Sequence, residues 1–283
     1  YGITCMESGK YEDAVKAFQN ALGESIGHIG EKELDICFYK AKAQALDGKT
    51  KDALATYNAI IKYNKDARAY YLRGDLYMDM GEEKKGRADF ESAVQQGKKN
   101  YEIYIGIYES LSRHEKKDEG QKYLSAAMEI KGDKPEDELY KGRISYLLGE
   151  NKDAISYLEK AKEHKQMLAS YYLGLAYDAN GDSDKAKKCI AEYIKSGVAT
   201  SYDLYELGMQ EMQDGNYKNA LTYFNSGLEL EKVPNKQNLM KSAIAAYEYS
   251  GDFDSAKKMM KEYLKAYPDD EEAKHENTFL ETR

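Results

Sequence analysis

The chain has 283 residues, 42% hydrophobic and 33% charged, and no apolar run near the ~18–20 residues that cross a bilayer. This excludes a disordered chain and a membrane-spanning one. The net charge of −8 argues against nucleic acid or an anionic membrane as main partner, because both recruit clustered Lys and Arg.

Only 3 prolines stand against 27 tyrosines, which favours helix, and the chain reads in order as helix, turn, helix. Residues 1–33 open inside a helix at Tyr1, with no initiator Met and no signal peptide, so an upstream segment is expected. Gly2 is followed by Gly9 seven residues on and Ala14 twelve on, then by bulky Phe18 and small Ala21. The connection "GESIGHIGEKE" (23–33) carries three glycines and predicts an extended, flexible turn. Residues 34–66 repeat the spacing with Ala41, Gly48, Ala53, Tyr57 and Ile60, and 67–98 with Gly74, Gly81, Gly86, Phe90 and Ala93. Residues 99–134 keep Gly106 but lack the turn glycine, so "SRHEKKDEG" (112–120) predicts a looser solvated loop about two residues longer than the pattern. The spacing returns over 135–166 (Gly142, Gly149, Ala154, Leu158, Ala161) and 167–200 (Gly174, Gly181, Ala186, Ile190, Tyr193). It continues over 201–236 (Gly208, Gly215, Ala220, Phe224, Gly227) and 237–268 (Ile244, Gly251, Ala256, Met260, Tyr263). A charged helix over 269–283, with Phe279 and Leu280 turned inward, caps the end.

From Ala14 the units restart at Ala53, Gly86, Gly120, Ala154, Ala186, Ala220 and Ala256, in steps of 39, 33, 34, 34, 32, 34 and 36. This pattern resembles the tetratricopeptide repeat over nearly the whole chain. The resemblance implies an all-α, right-handed superhelical solenoid, one array over 1–283, with the first helix of each pair (helix A) lining a concave wall. The residues agree with it. Small side chains at Gly174 and Ala186 let helix A and helix B approach, and Gly181 suits a left-handed cap. Asp182 and Ser183 offer N-cap oxygens, and Ile190 fills space between neighbouring pairs. A single pair cannot bury its apolar face, so the units stack. Pro135, Pro234 and Pro268 fall at unit boundaries.

Helical spacing selects the wall: positions −6, −3, +1 and +4 from the small residue of helix A form one stripe, opposite helix B. Position −3 reads Phe38, Tyr71, Ile103, Leu139, Tyr171, Tyr205 and Lys241. Position +1 reads Ile3, Lys42, Asp75, Ile107, Arg143, Leu175, Met209 and Ala245. Position +4 reads Met6, Ala45, Met78, Ser110, Tyr146, Asp178, Met212 and Glu248, and Arg68, Leu168 and Tyr202 stand out at −6. The candidate contact residues are Phe38, Lys42, Tyr71, Arg143, Tyr171, Tyr205, Met209 and Met212. Tyrosine supplies contact area at low entropic cost, and methionine adapts to irregular surfaces. The competing reading is a structural row of tyrosines stacked between neighbouring A helices. Family members that bind chaperone tails use a clamp of Lys at −3 and Asn at +1, Asn at −2 in the next unit, then Lys and Arg. Here those places hold Ile3, Tyr39, Tyr71 and Asp75, and no run of three units completes the set. An apolar or aromatic peptide suits the wall better.

Catalytic and metal-binding chemistry is not expected. His28, His114, His164 and His275 fall on turns or polar helix ends as solvated groups, with no HExxH or CxxC beside them. Cys5, Cys37 and Cys189 lie far apart in apolar stripes and read as small buried hydrophobes. The expected function is a non-enzymatic, cofactor-free scaffold that binds a protein or extended peptide. Two alternatives stay open: the peptide-sensing part of a regulator, cytoplasmic, or an extracytoplasmic module of a bacterial envelope lipoprotein held by an upstream anchor.

Overall fold

A computed structural model describes residues 1–24, 29–132 and 134–283, and every regular element among them is a helix. Of the glycine-bearing turn expected over 23–33, residues 25–28, with His28, lie outside the described residues, while 23–24 close the second helix and 31–33 open the third. The chain forms two compact units, Tyr1–Lys195 and Ser196–Arg283. The first opens with α1 (Gly2–Glu7) paired to α2 (Tyr11–Glu24), α3 (Glu31–Leu46) to α4 (Thr50–Asn64), and α5 (Ala67–Asp79) to α6 (Glu83–Gln96). It continues with α7 (Tyr101–Arg113) and α8 (Lys117–Met128), α9 (Pro135–Leu148) and α10 (Asn151–Glu163), then α11 (Ala169–Ala179) and α12 (Ser183–Lys195). The second holds α13 (Ser201–Gln213) with α14 (Tyr217–Leu228), α15 (Lys236–Tyr249) with α16 (Phe253–Ala266), and a closing α17 (Glu271–Glu281). Within each unit successive pairs stack through a row of neighbouring apolar clusters, which makes the fold an α-solenoid.

One contact recurs in five of the pairs, beneath Gly2, Gly74, Gly142, Gly174 and Gly208. A Cβ added at Gly174 would sit 2.4 Å from Ile190 Cδ1, one at Gly142 2.4 Å from Leu158 Cγ, and one at Gly208 2.2 Å from Phe224 Cε1. The bulky residue sixteen positions on therefore rests directly on the backbone of helix A. Ile190 fills space inside its own pair, where the sequence had suggested space between pairs. Phe90 and Phe224 are fully enclosed, so each such contact removes a whole side chain from water, worth about 1.5–3 kcal/mol.

Pair α7–α8 corrects the sequence reading. Its turn is neither longer nor looser: Glu115 takes the left-handed conformation at φ 60°, as Gly181 does at φ 85°. The hydrogen bonds match, Glu115 N–H to Ser112 O (3.1 Å) and Lys116 N–H to Leu111 O (2.8 Å), against Gly181 to Asp178 (2.9 Å) and Asp182 to Tyr177 (2.8 Å). Counting back seven from Glu115 places Tyr108, and not Gly106, at the small position of helix A. The close approach survives because helix B supplies the gap: a Cβ at Gly120 would meet Tyr108 Cα at 3.2 Å and Tyr108 Cδ2 at 3.0 Å. Gly106 instead lies under Tyr71 of the preceding pair, whose Cζ would be 2.6 Å from its Cβ.

Side-chain caps start several A helices. Asp66 accepts from Arg68 and Ala69 N–H, Asn100 from Glu102, and Thr200 and Asp203 form a reciprocal box. Asp182, expected as a cap, accepts the Asn180 side-chain amide (3.2 Å), and Asp252 caps α16 through Ser255 N–H (3.1 Å). Asp270 caps α17 through Ala273 N–H (3.1 Å) and also receives Tyr263 OH (2.5 Å) and Lys241 Nζ (2.8 Å). Leu280 packs inward as expected, while Phe279 is largely exposed beneath Arg283.

Two outcomes follow from the turn and the cap. Glu115→Gly should stabilise the protein by about 0.5–1 kcal/mol, because a left-handed non-glycine residue is strained; urea unfolding of both variants measures it. The Lys241 ammonium, with the Tyr263 and Ala273 donors, holds the Asp270 carboxyl well below its ordinary value. Its stabilising contribution is complete above about pH 4 and is lost as pH falls through the lowered folded value. Thermal melts of the second unit's near-ultraviolet signal should therefore fall more steeply below pH 4 in wild type than in Asp270→Asn.

Candidate functional site

The stripe expected to form the wall lies on α3, α5, α7, α9 and α11 in the first unit, and on α13 and α15 in the second. The two-residue shift in α7 moves its wall positions to Glu102, Ile105, Glu109 and Ser112, of which Ile105 is itself fully buried in the core. Ile103 and Ile107, read from the sequence as wall residues, are instead buried against Phe90, Ala93 and Leu111. Phe38 is buried as well, with the Arg68 guanidinium 4.4 Å above its ring. Lys42 is exposed.

The tyrosines share one arrangement. Each half-buried ring leans on an aromatic of its own helix B: Tyr71 on Phe90 at 6.4 Å, Tyr171 on Tyr193 at 5.2 Å, and Tyr205 on Phe224 at 6.2 Å. Tyr171 also meets Tyr172 edge-on at 5.1 Å. Burial, with Asp75 and Glu109 nearby, pushes the Tyr71 phenol above its ordinary value, so it stays protonated and can donate. The tyrosines are thus part of the packing while each stays partly accessible. In the second unit Tyr205, Met209 and Met212 pack partly buried on one cluster, and the Ser242 hydroxyl donates to Met209 Sδ at 3.6 Å. Tyr202, at −6 on the same helix, is 55% exposed.

Charges cross between neighbouring A helices in the first unit. Arg143 Nη2 reaches Glu109 at 3.0 Å, its Nη1 reaches Glu102 at 3.3 Å, and its guanidinium lies 5.5 Å from the Tyr172 ring. Arg113 pairs with Asp75 at 2.5 Å, and His114 Nε2 lies 3.1 Å from Asp79. Glu102, Glu109 and Asp79 were not read as site residues from the sequence. Counting twelve back from Gly120 to Tyr108 is the signal that finds Glu109. His114, expected to be solvated, is three-quarters covered at the end of α7.

Other chemistry is sparse. One atom each of Asp75, Asp79 and His114 lies within 4.8 Å of the others, the metal-ligand grouping found among the described residues, and Arg113 already supplies a cation to Asp75. Cys5 and Cys189 are buried and Cys37 is partly buried; burial pushes the Cys37 and Cys189 thiols up, away from the reactive thiolate. Among the described residues no helix is long and apolar enough to cross a membrane.

Stacked helix pairs joined by left-handed turns define an α-helical repeat protein. Two family profiles, each described as tetratricopeptide repeat, match residues 4–62 and 40–101, and 168–196 and 237–270. The chain belongs to the tetratricopeptide repeat family. The pairs from α7 to α10 and α13–α14 lie outside the matched stretches, so only their geometry carries the repeat there. A tetratricopeptide repeat protein from Parabacteroides merdae superposes with a TM-score of 0.51 at 12% identity, over 87% of this chain and 95% of that one. Looser likenesses are PilW, a type IV pilus biogenesis factor, at 0.47 and 17% identity over 74% and 97%, and the APC/C Cut9–Hcn1 hetero-tetramer at 0.49 and 18% over 96% and 53%. A search of curated proteins finds no match. Members of the family are in general non-catalytic scaffolds that bind protein partners, and the fold supports that role here.

The seat of Tyr71 on Gly106 predicts a coupled pair. Gly106→Val should cost about 1–3 kcal/mol by displacing the ring, and much of that cost should vanish in a Tyr71→Ala background. Denaturant unfolding of the four-member cycle reads the coupling; additive effects would show that the two residues do not touch.

Proposed function

We propose that the chain captures an extended protein segment along the helix-A stripe, by reversible binding and without catalysis or cofactor. The observation that carries this reading is the face of α13, where Tyr202, Tyr205, Met209 and Met212 stay partly open although the core behind them is complete. The fold does not need those edges, and a peptide that covers them removes apolar area from water. Tyr71 and Tyr171 repeat the arrangement in the first unit, with rings already held by helix B, so little side-chain entropy is lost on binding. Arg143, saturated by Glu102 and Glu109, and the exposed Lys42 contribute polar edges that orient the segment.

The test is capture of partners from the source organism's lysate. The triple variant Tyr71→Ala, Tyr171→Ala, Tyr205→Ala should lose capture while circular dichroism retains the helix signal, although each truncation destabilises its pair by about 2 kcal/mol. Tyr202→Ala, at a residue that is 55% exposed, separates binding from packing: capture should fall at least about threefold with an unchanged melting curve. Full capture by both variants, or loss of fold without a binding defect, would favour a purely structural row.

A further inference from the structure

The second unit contains a cavity of about 290 Å³ between α15 and α17, closed behind by α16. Its floor is apolar, made by Ile244, Ala245 and Ala273. Its polar lining is unbalanced. The lone lysine there, Lys241, is drawn away by Asp270 at 2.8 Å and Glu272 at 3.5 Å. Glu248 and Glu276 face the cavity with no hydrogen bond or ion pair among the described residues, and Glu248 Oε1 is wholly enclosed without a donor. Two carboxylates beside an apolar floor, with no cation between them, are costly unless a donor arrives from outside. Burial first, and the Glu276 charge second, push the Glu248 carboxyl above its ordinary value.

We propose that this cavity receives an arginine or lysine side chain of the bound segment. The aliphatic stem lies on Ile244, Ala245 and Ala273 while the cationic head bridges Glu248 and Glu276. The inference rests on the reading that the stripe binds a peptide, because Lys241, Ala245 and Glu248 occupy its −3, +1 and +4 positions at the end of the array. It adds what that reading lacks, a charge preference: a segment with a basic residue placed at α15–α17.

A blocked pentapeptide with one central arginine, and its twin with neutral, isosteric citrulline, test the pocket on the full chain by methyl NMR of Ile244, Ala245, Met260 and Ala273. The arginine peptide should shift these resonances saturably and bind at least roughly tenfold more tightly than the citrulline peptide. Glu248→Gln and Glu276→Gln should each remove most of that difference while leaving the Leu280 methyls in place as a check on α17. Equal binding of the two peptides, no saturable shift, or an undiminished preference in the double variant overturns the proposal. The two readings fail separately. Arginine binding here with no partner capture from lysate sinks the groove reading alone, and capture without an arginine preference sinks the pocket alone.

Discussion

A bulky side chain of helix B pressed onto bare backbone of helix A is the contact on which the stack depends. Gly2, Gly74, Gly142, Gly174 and Gly208 each lie beneath the residue sixteen positions later. Without a Cβ the two helices close until one Phe, Leu or Ile covers the backbone at interior packing density. Because the contact is made inside each pair, successive pairs present similar outer faces, and stacking follows from repetition. Pair α7–α8 shows that the constraint is volume and not the glycine itself. Tyr108 fills helix A's side of the contact, and Gly120 on helix B gives the space back.

The wall is a by-product of that geometry. With one face of helix A committed to helix B, the −3 and +1 positions fall at the edge of the core, where a tyrosine can be held by a helix-B aromatic and still show one side to solvent. Crossed charges between adjacent A helices, Asp75 with Arg113 and Glu102 and Glu109 with Arg143, sit on the same edge. Such exposed pairs contribute only ~0–1 kcal/mol each, so their part is to set the register of neighbouring helices more than to stabilise them. Where the charges do not pair off, at Glu248 and Glu276, the same edge becomes a pocket.

Much of the fold is legible in the residues because its determinants are short in sequence. Turn, small residue and bulky residue lie within sixteen positions of one another, and the period near 34 makes each unit a check on the next. The misplaced unit shows the limit. Gly106 has the right identity but serves Tyr71 of the pair before, and Glu115 fills a place where glycine is expected. A single residue type is a weak marker, whereas the distance between paired markers is a strong one.

By itself, the sequence determined the helix pairs and, outside α7–α8, their turns and the stripe opposite helix B, because those follow from helical periodicity and local backbone preference. Only the tertiary structure decided which stripe residues are committed. Phe38 disappears under Arg68, Arg143 finds its acids on the preceding A helix, α7, and Lys241 is taken by Asp270 at the start of α17. Those partners lie 29 to 41 residues apart, and no local rule specifies which side chain will reach across a groove. Burial and charge balance at the wall are set by packing between repeats, and that is where the open tyrosine edges and the unpaired carboxylates are found.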